Sequence, residues 1–196
     1  MRVLVSNGSS NLGNQHVKYV GSFFQLRFLS IGSRRITELR EDIGDLRYLQ
    51  TLDTRGSGIT KLPPSIGHLQ KLMRLLVNND VELPDSIGDL QALQELSRAR
   101  ILSIKLVEAL RRLTKLKRLH MDMPSTEQLG HDMGRYQEAL KSSLAVMGDH
   151  GLQALKICDY NGFLREELMD ILCHTAPCLQ KIDVYGTGIA CLPKHI

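Results

Sequence analysis

The chain has 196 residues and a mass of 22.0 kDa, with 42% apolar, 5% aromatic and 23% charged side chains, enough for one well-buried domain and too few residues for several. That composition excludes disorder and collagen. A net charge of +4 without any polybasic block gives no ground for nucleic acid as a partner.

The first segment, Met1-Arg-Val-Leu-Val-Ser-Asn-Gly8, offers three apolar residues before a turn, far fewer than the ~7–15 of a signal-peptide core, and Val3 and Val5 look like half a strand. Further on, leucines come singly between polar neighbours, so no run approaches the ~18 apolar residues of a membrane span. An Asn-Gly-Ser sequon at Asn7 has no meaning without a secretory route. The four cysteines (Cys158, Cys173, Cys178, Cys191) lie in the last quarter without the spacing of a disulfide scaffold, which favours free thiols in a reducing compartment and a cytoplasmic location.

Roughly one residue in six is leucine, and the leucines repeat. In chain order the copies are Leu26-Arg-Phe-Leu29-Ser-Ile31, Leu49-Gln-Thr-Leu52-Asp-Thr54, Leu72-Met-Arg-Leu75-Leu-Val77, Leu93-Gln-Glu-Leu96, Leu116-Lys-Arg-Leu119-His-Met121, Leu152-Gln-Ala-Leu155-Lys-Ile157 and Leu179-Gln-Lys-Ile182-Asp-Val184. Their anchors at 29, 52, 75, 96, 119, 155 and 182 stand 23, 23, 21, 23, 36 and 27 residues apart, and all but the 36 fit a leucine-rich repeat of ~20–29 residues. The last two apolar positions of each copy are two apart, so in a strand they share one face and point into a common core. No copy can bury its leucines alone, so the copies must stack. The pattern predicts an α/β leucine-rich-repeat solenoid: one domain over 1–196, about seven to eight repeats with a curved parallel sheet on the concave side, incomplete at both ends.

Between the early strands run Ile36-Thr-Glu-Leu39, Ile43-Gly-Asp-Leu46, Ile59-Thr-Lys-Leu62-Pro-Pro-Ser-Ile66-Gly-His-Leu69 and Val81-Glu-Leu83-Pro-Asp-Ser-Ile87-Gly-Asp-Leu90. Proline removes a backbone donor and the glycine after isoleucine supplies a flexible turn, so these returns should be short 3₁₀ or irregular segments. Later returns are helical in pattern. Ser103 is placed to cap a helix carrying Leu106, Val107, Leu110 and Leu113, and helical faces recur at Tyr136, Leu140, Leu144 and Met147 and at Leu164, Leu168, Ile171 and Leu172 before Pro177. Five residues after the second leucine, where such repeats place a backbone-bonding side chain, stand Arg34, Ser57, Asp80 and Thr187; Arg34 should reach outward and the other three bond the backbone.

Chemistry is sparse. Cys173-His174-x-x-x-Cys178 with Cys191 lacks a zinc-knuckle spacing and reads as buried structural thiols; the seven histidines are scattered without a His-x-x-x-His pair, and no Gly-x-Ser-x-Gly elbow exists. We expect no enzyme, metal, cofactor or small-molecule substrate. The outward strand positions are better candidates: Phe28, Ser30 and Gly32; Thr51, Asp53 and Arg55; Arg74, Leu76 and Asn78; Glu95 and Ser97; Arg118, His120 and Asp122; Ala154, Lys156 and Cys158; Lys181, Asp183 and Tyr185. Arg55, Arg74, Arg118, Lys156 and Lys181 form a basic stripe interspersed with acids. Together with Phe28, Leu76 and Tyr185 they have the composition that protein interfaces enrich.

The stretch Leu49-Gln-Thr-Leu52-Asp-Thr-Arg-Gly-Ser-Gly-Ile59-Thr-Lys-Leu-Pro63-Pro-Ser-Ile-Gly67-His-Leu69, with the same cadence at Asp183 to Pro193 and the degenerate repeat from Leu90 to Met121, resembles the leucine-rich-repeat region of plant intracellular disease-resistance receptors, of the coiled-coil class of grasses. The resemblance implies a protein-recognition module that binds a pathogen effector or a guarded host protein, or restrains the receptor's own nucleotide-binding domain. The chain itself holds no Gly-x-x-x-x-Gly-Lys-Ser/Thr phosphate loop and no heptad-rich signalling region. We therefore expect a fragment, a truncated paralogue or a partial reading frame of a longer receptor; a stand-alone signalling scaffold without a nucleotide switch is the alternative.

Overall fold

The computed structural model describes residues 2–7, 12–124, 126–159 and 179–186. The repeat anchors become the central residues of a parallel sheet whose strands follow chain order: β1 (Val3–Asn7), β2 (Phe28–Gly32), β3 (Thr51–Asp53), β4 (Arg74–Leu76), β5 (Glu95–Arg100), β6 (Arg118–Asp122), β7 (Ala154–Asp159) and β8 (Lys181–Gly186). Leu29, Leu52, Leu75, Leu96, Leu119, Leu155 and Ile182 are in register across seven strands. Leu4 extends that row into β1, opposite Leu29. The inward residue of the first strand is thus Leu4, and its neighbours Val3 and Val5, 57% and 56% exposed, point outward.

Each strand is short because its ladder is bounded by turns. In the early repeats the return is a 3₁₀ segment at Glu41–Asp45, Pro64–His68 and Asp85–Asp89. The hydrogen bonds show why: Ile66 N donates to Pro63 O (3.1 Å) and Leu69 N to Ile66 O (3.1 Å), three-residue steps that a proline-led sequence makes and an α-helix does not. The glycine in this segment is not a hinge. A Cβ on Gly67 would lie 2.8 Å from Ser86 O of the next return, and one on Gly44 would lie 2.8 Å from Ser65 O, so glycine at this position lets successive returns stack at backbone distance. That corrects the flexible-turn expectation. Ser86 Oγ donates back to Pro64 O (2.7 Å), and Ser65 N to a Glu41 carboxylate oxygen (3.1 Å), tying neighbours together one repeat apart.

The returns between β5 and β6 and between β6 and β7 are helical, as the apolar spacing predicts. Helix α1 (Asn14–Val17) is a single turn near the first strand, whereas α2 (Ile104–Leu110) has Ser103 as its N-cap, accepting from Leu106 N at 3.1 Å. A short α3 (Thr126–Leu129) leads to α4 (Met133–Asp149), which buries Tyr136, Leu140, Leu144 and Met147. Tyr136 is fully buried, its hydroxyl donates to Ile101 O (2.8 Å), and burial pushes its phenol well above the ordinary range. The helical face from Leu164 to Leu172, Cys173, His174, Cys178, Thr187 and Cys191 lie outside the described residues.

All anchor leucines are essentially inaccessible, and one continuous apolar core runs from Val20 to Ile157. At about 1.5–3 kcal/mol per buried leucine, stacking is what stabilises the array. Of the expected backbone-bonding positions, Ser57 behaves as predicted, donating to Thr54 O (2.6 Å) and accepting from Ile59 N (3.3 Å), and Arg34 is exposed. Asp80 is exposed too, and Asn78 takes its role: its Nδ2 donates to Ser57 O (3.0 Å) and its Oδ1 accepts from Gly56 N (3.1 Å). The amide provides both a donor and an acceptor from one side chain, which a carboxylate cannot.

Candidate protein-binding face

Strand pleating sends alternate residues outward, and the register turns them into rows. One row is Val3, Phe28, Thr51, Arg74, Glu95, Arg118, Ala154 and Lys181; the next includes Ser30, Asp53 and Leu76, and towards the C-terminal side His120, Lys156 and Asp183. Strands pack about 4.8 Å apart, whereas the helical returns α2 and α4 need about 8–10 Å, so there the sheet lies on the inside of the curve and these rows form its concave face.

The face is patterned by ion pairs, which sequence order alone does not reveal. Asp53 clasps Arg55 through Nη2 (2.7 Å), Nε (2.9 Å) and the backbone N–H (3.1 Å), and that carboxylate holds the guanidinium proton more tightly than usual. Arg118 pairs with Glu95 (2.8 Å), and Lys181 with Asp183 (3.0 Å), whose hydrogen bond raises the lysine pKa. Arg74 donates through Nε to the buried Thr51 hydroxyl (3.0 Å) and joins no ion pair among the described residues. Lys156 sits over the Tyr185 ring, 4.4 Å from its centroid, with Tyr185 48% exposed. Phe28 and Leu76 are half-buried, and Asn78, committed to two backbone bonds, has little left for a ligand. The basic stripe is thus an alternating surface on which Arg74 carries the least-compensated charge.

Three features go beyond the leucine pattern. The first is a register shift in β5 between Leu96 and Ala99, with Arg98 in the left-handed conformation (φ 58°), so Ser97 and Arg98 share the space of one residue. The second is a shallow hollow of about 250 Å³, lined by Glu95, Ser97, Arg118, His120, Lys156 and Asp183 among others, open where Ala154 and Ser97 are small. A larger groove, about 470 Å³ between Tyr48, His68 and Lys71, belongs to the return side and touches none of the outward rows. The third is the meeting of His120 with Asp122 and Cys158. Its Nε2 lies 3.4 Å from Cys158 Sγ and 3.8 Å from Asp122 Oδ1. Burial, and then the Lys156 charge, lower the His120 pKa below its ordinary value, with Asp122 opposing. Cys158, an outward strand position, is nonetheless buried and forms no disulfide. The only sequence signal for this cluster was alignment of the repeats, which places Asp122 opposite Cys158.

A parallel sheet ordered as the sequence, with every anchor leucine in register and one open face, defines a leucine-rich-repeat solenoid. The chain belongs to the leucine-rich repeat region family, whose model matches residues 1–196. Such regions are generally protein–protein interaction modules rather than catalysts. Among solved structures, an internalin from Listeria monocytogenes is similar at 15% identity and a TM-score of 0.52, with 96% of this chain and 57% of that one covered. A leucine-rich-repeat protein of Leptospira interrogans is 17% identical (TM-score 0.39, covering 88% of this chain and 59% of that one). The Arabidopsis receptor kinase HAESA, solved with the peptide hormone IDA and the co-receptor SERK1, is 19% identical (TM-score 0.49, covering 73% and 28%). The chain spans a little over half the length of the two bacterial proteins, and at these identities the likeness speaks to the fold alone. Among the described residues, no helix is long and apolar enough to cross a membrane.

Proposed function

We propose that the chain is the protein-recognition part of a plant intracellular disease-resistance receptor, acting in the cytoplasm as one portion of a longer protein. Its concave face receives a pathogen effector or a guarded host protein, or holds the receptor's nucleotide-binding domain at rest. The observation that carries the recognition role is the continuous outward surface of β2 to β8, where cations, acids and aromatic side chains alternate over a sealed core. The plant-receptor assignment rests on the sequence cadence from Leu49 to Leu69.

The test compares Arg74→Ala, Arg118→Ala and Lys181→Ala, with Glu138→Ala and Lys105→Ala on the return side as controls, in a pull-down and an immune-response assay in the full receptor. Interface truncations that matter cost about 2 kcal/mol or more and cluster centrally. Arg74→Ala and Arg118→Ala should therefore reduce binding most, Lys181→Ala less, and the controls not at all. Loss confined to the controls, with the three face variants folded and active, moves the site to the convex side and ends this proposal.

A further inference from the structure

We propose that His120, Asp122 and Cys158 form a binding site for a thiophilic divalent cation, with zinc the ion that fits best. Thiolate, imidazole and carboxylate are the three protein ligands zinc takes, and their combination on one spot excludes the all-oxygen preference of calcium and magnesium.

The geometry is close to what the ion requires. With zinc bonded at about 2.0–2.3 Å, the edges of its tetrahedron are about 3.3–3.6 Å long. Here Nε2 is 3.4 Å from Sγ and 3.8 Å from the Asp122 oxygen, and all three ligand atoms lie within 4.8 Å of one another. Side-chain rotation of a few tenths of an ångström up to about 1 Å closes the set, without movement of the backbone.

The frame that holds them is the sheet itself. Asp122 and Cys158 are directly paired on β6 and β7, and His120, two residues before Asp122, shares its face by the strand period. A paired strand is a stiffer support for ligands than a loop. His120 and Asp122 side chains are 19% and 16% exposed and Cys158 is buried, so the site is sheltered yet reachable from the concave face. Three protein ligands leave a fourth position for water or an incoming group, as in open zinc sites.

Charge decides how tight the site is. With the Cys158 proton released to solvent on binding, thiolate and carboxylate balance the dication. Lys156, opposite His120 on β7, Arg98, in the irregular part of β5, and Arg100, the β5 register partner of Asp122, are cations that oppose it. Lys156 is drawn aside over the Tyr185 ring.

The experiment is titration of the purified, chelator-stripped chain with cobalt(II), followed by competition with zinc. The expected result is one cobalt per chain at this site, with a thiolate-to-cobalt charge-transfer band in the near ultraviolet that zinc removes. Cys158→Ser should abolish the band, and His120→Ala and Asp122→Asn should each weaken binding by at least about tenfold. Should Cys158→Ser fail to fold, the other two variants, at partly exposed positions, read the same titration, and unchanged affinity in both overturns the site. Absence of the band in folded wild-type protein also overturns it. So does a band that survives Cys158→Ser and disappears when Cys173, Cys178 and Cys191 are replaced, because the metal then sits on those thiols.

Discussion

Leu75 lies between Leu52 and Leu96 in the sheet register and has no accessible surface. Leu75→Ala removes its transfer energy and leaves a cavity that two flanking strands prevent from collapsing, so a urea melt should show a loss of about 2–5 kcal/mol; a loss under about 0.5 kcal/mol would contradict the register. Such positions were legible in the sequence because seven copies repeat the same phase. Asn78 was not, because its role depends on where the turn of the previous repeat ends. Asn78→Ala unpairs Gly56 N and Ser57 O, and should lower stability by about 1 kcal/mol in the same melt without any ligand present. His120 supplies a pH dependence with a definite sign. Its folded pKa lies below the ordinary 6.5, chiefly through burial, so the unfolded chain takes up the proton first. The stability tied to neutral His120 is fully present above about 6.5 and is lost as the pH falls from there through the lower folded-state value. In metal-free protein, wild type should therefore lose more stability than His120→Gln between about pH 7.5 and 5.5; equal losses would count against burial as the cause.

The returns show which local patterns translate into structure. Ser103 and the Tyr136-to-Met147 face were readable because a cap and a 3.6-residue period are local properties. The glycine of the 3₁₀ returns was misread because its neighbour lies in another repeat, about twenty residues away in sequence. Two substitutions separate these cases. Gly67→Ala forces a Cβ to within 2.8 Å of Ser86 O and should destabilise by about 1–3 kcal/mol. Gly134→Ala, in the first turn of α4 with nothing within 4 Å of the new methyl, should stabilise by about 0.4–1 kcal/mol. Thermal melts of the two variants moving in the same direction would refute the close-stacking account. The β5 irregularity had one faint sequence signature, the fourth copy that stops at Leu96: Arg98 stands where the other copies carry their second inward residue, and the buried Ala99 follows one step later.

The solenoid as a whole was legible from its leucines, and the outward rows followed from strand alternation, but the pairing of charges across rows was not, because it depends on rotamers and on the neighbouring strand. Arg118–Glu95 and Lys181–Asp183 are satisfied within the chain. Partner binding should therefore weaken by no more than about tenfold between 0.05 and 0.5 M salt, as expected when few charges remain to be neutralised across the interface; a far steeper fall would mean that these pairs open to meet the ligand. The stacking of the returns bears on how the array can vary in length. Gly44 against Ser65 and Gly67 against Ser86 are the same contact made twice. Joining residue 44 directly to residue 68 excises one whole turn of the coil and brings Gly44 against Ser86, so the splice heals with the joint the protein already uses. No such excision spans β5, where 3₁₀ returns give way to helices and the strand carries its extra residue. Unequal recombination in the gene can therefore lengthen or shorten the stretch before β5 in whole turns, adding or removing columns of the recognition surface, while the join at β5 stays fixed as the seam between two kinds of building block.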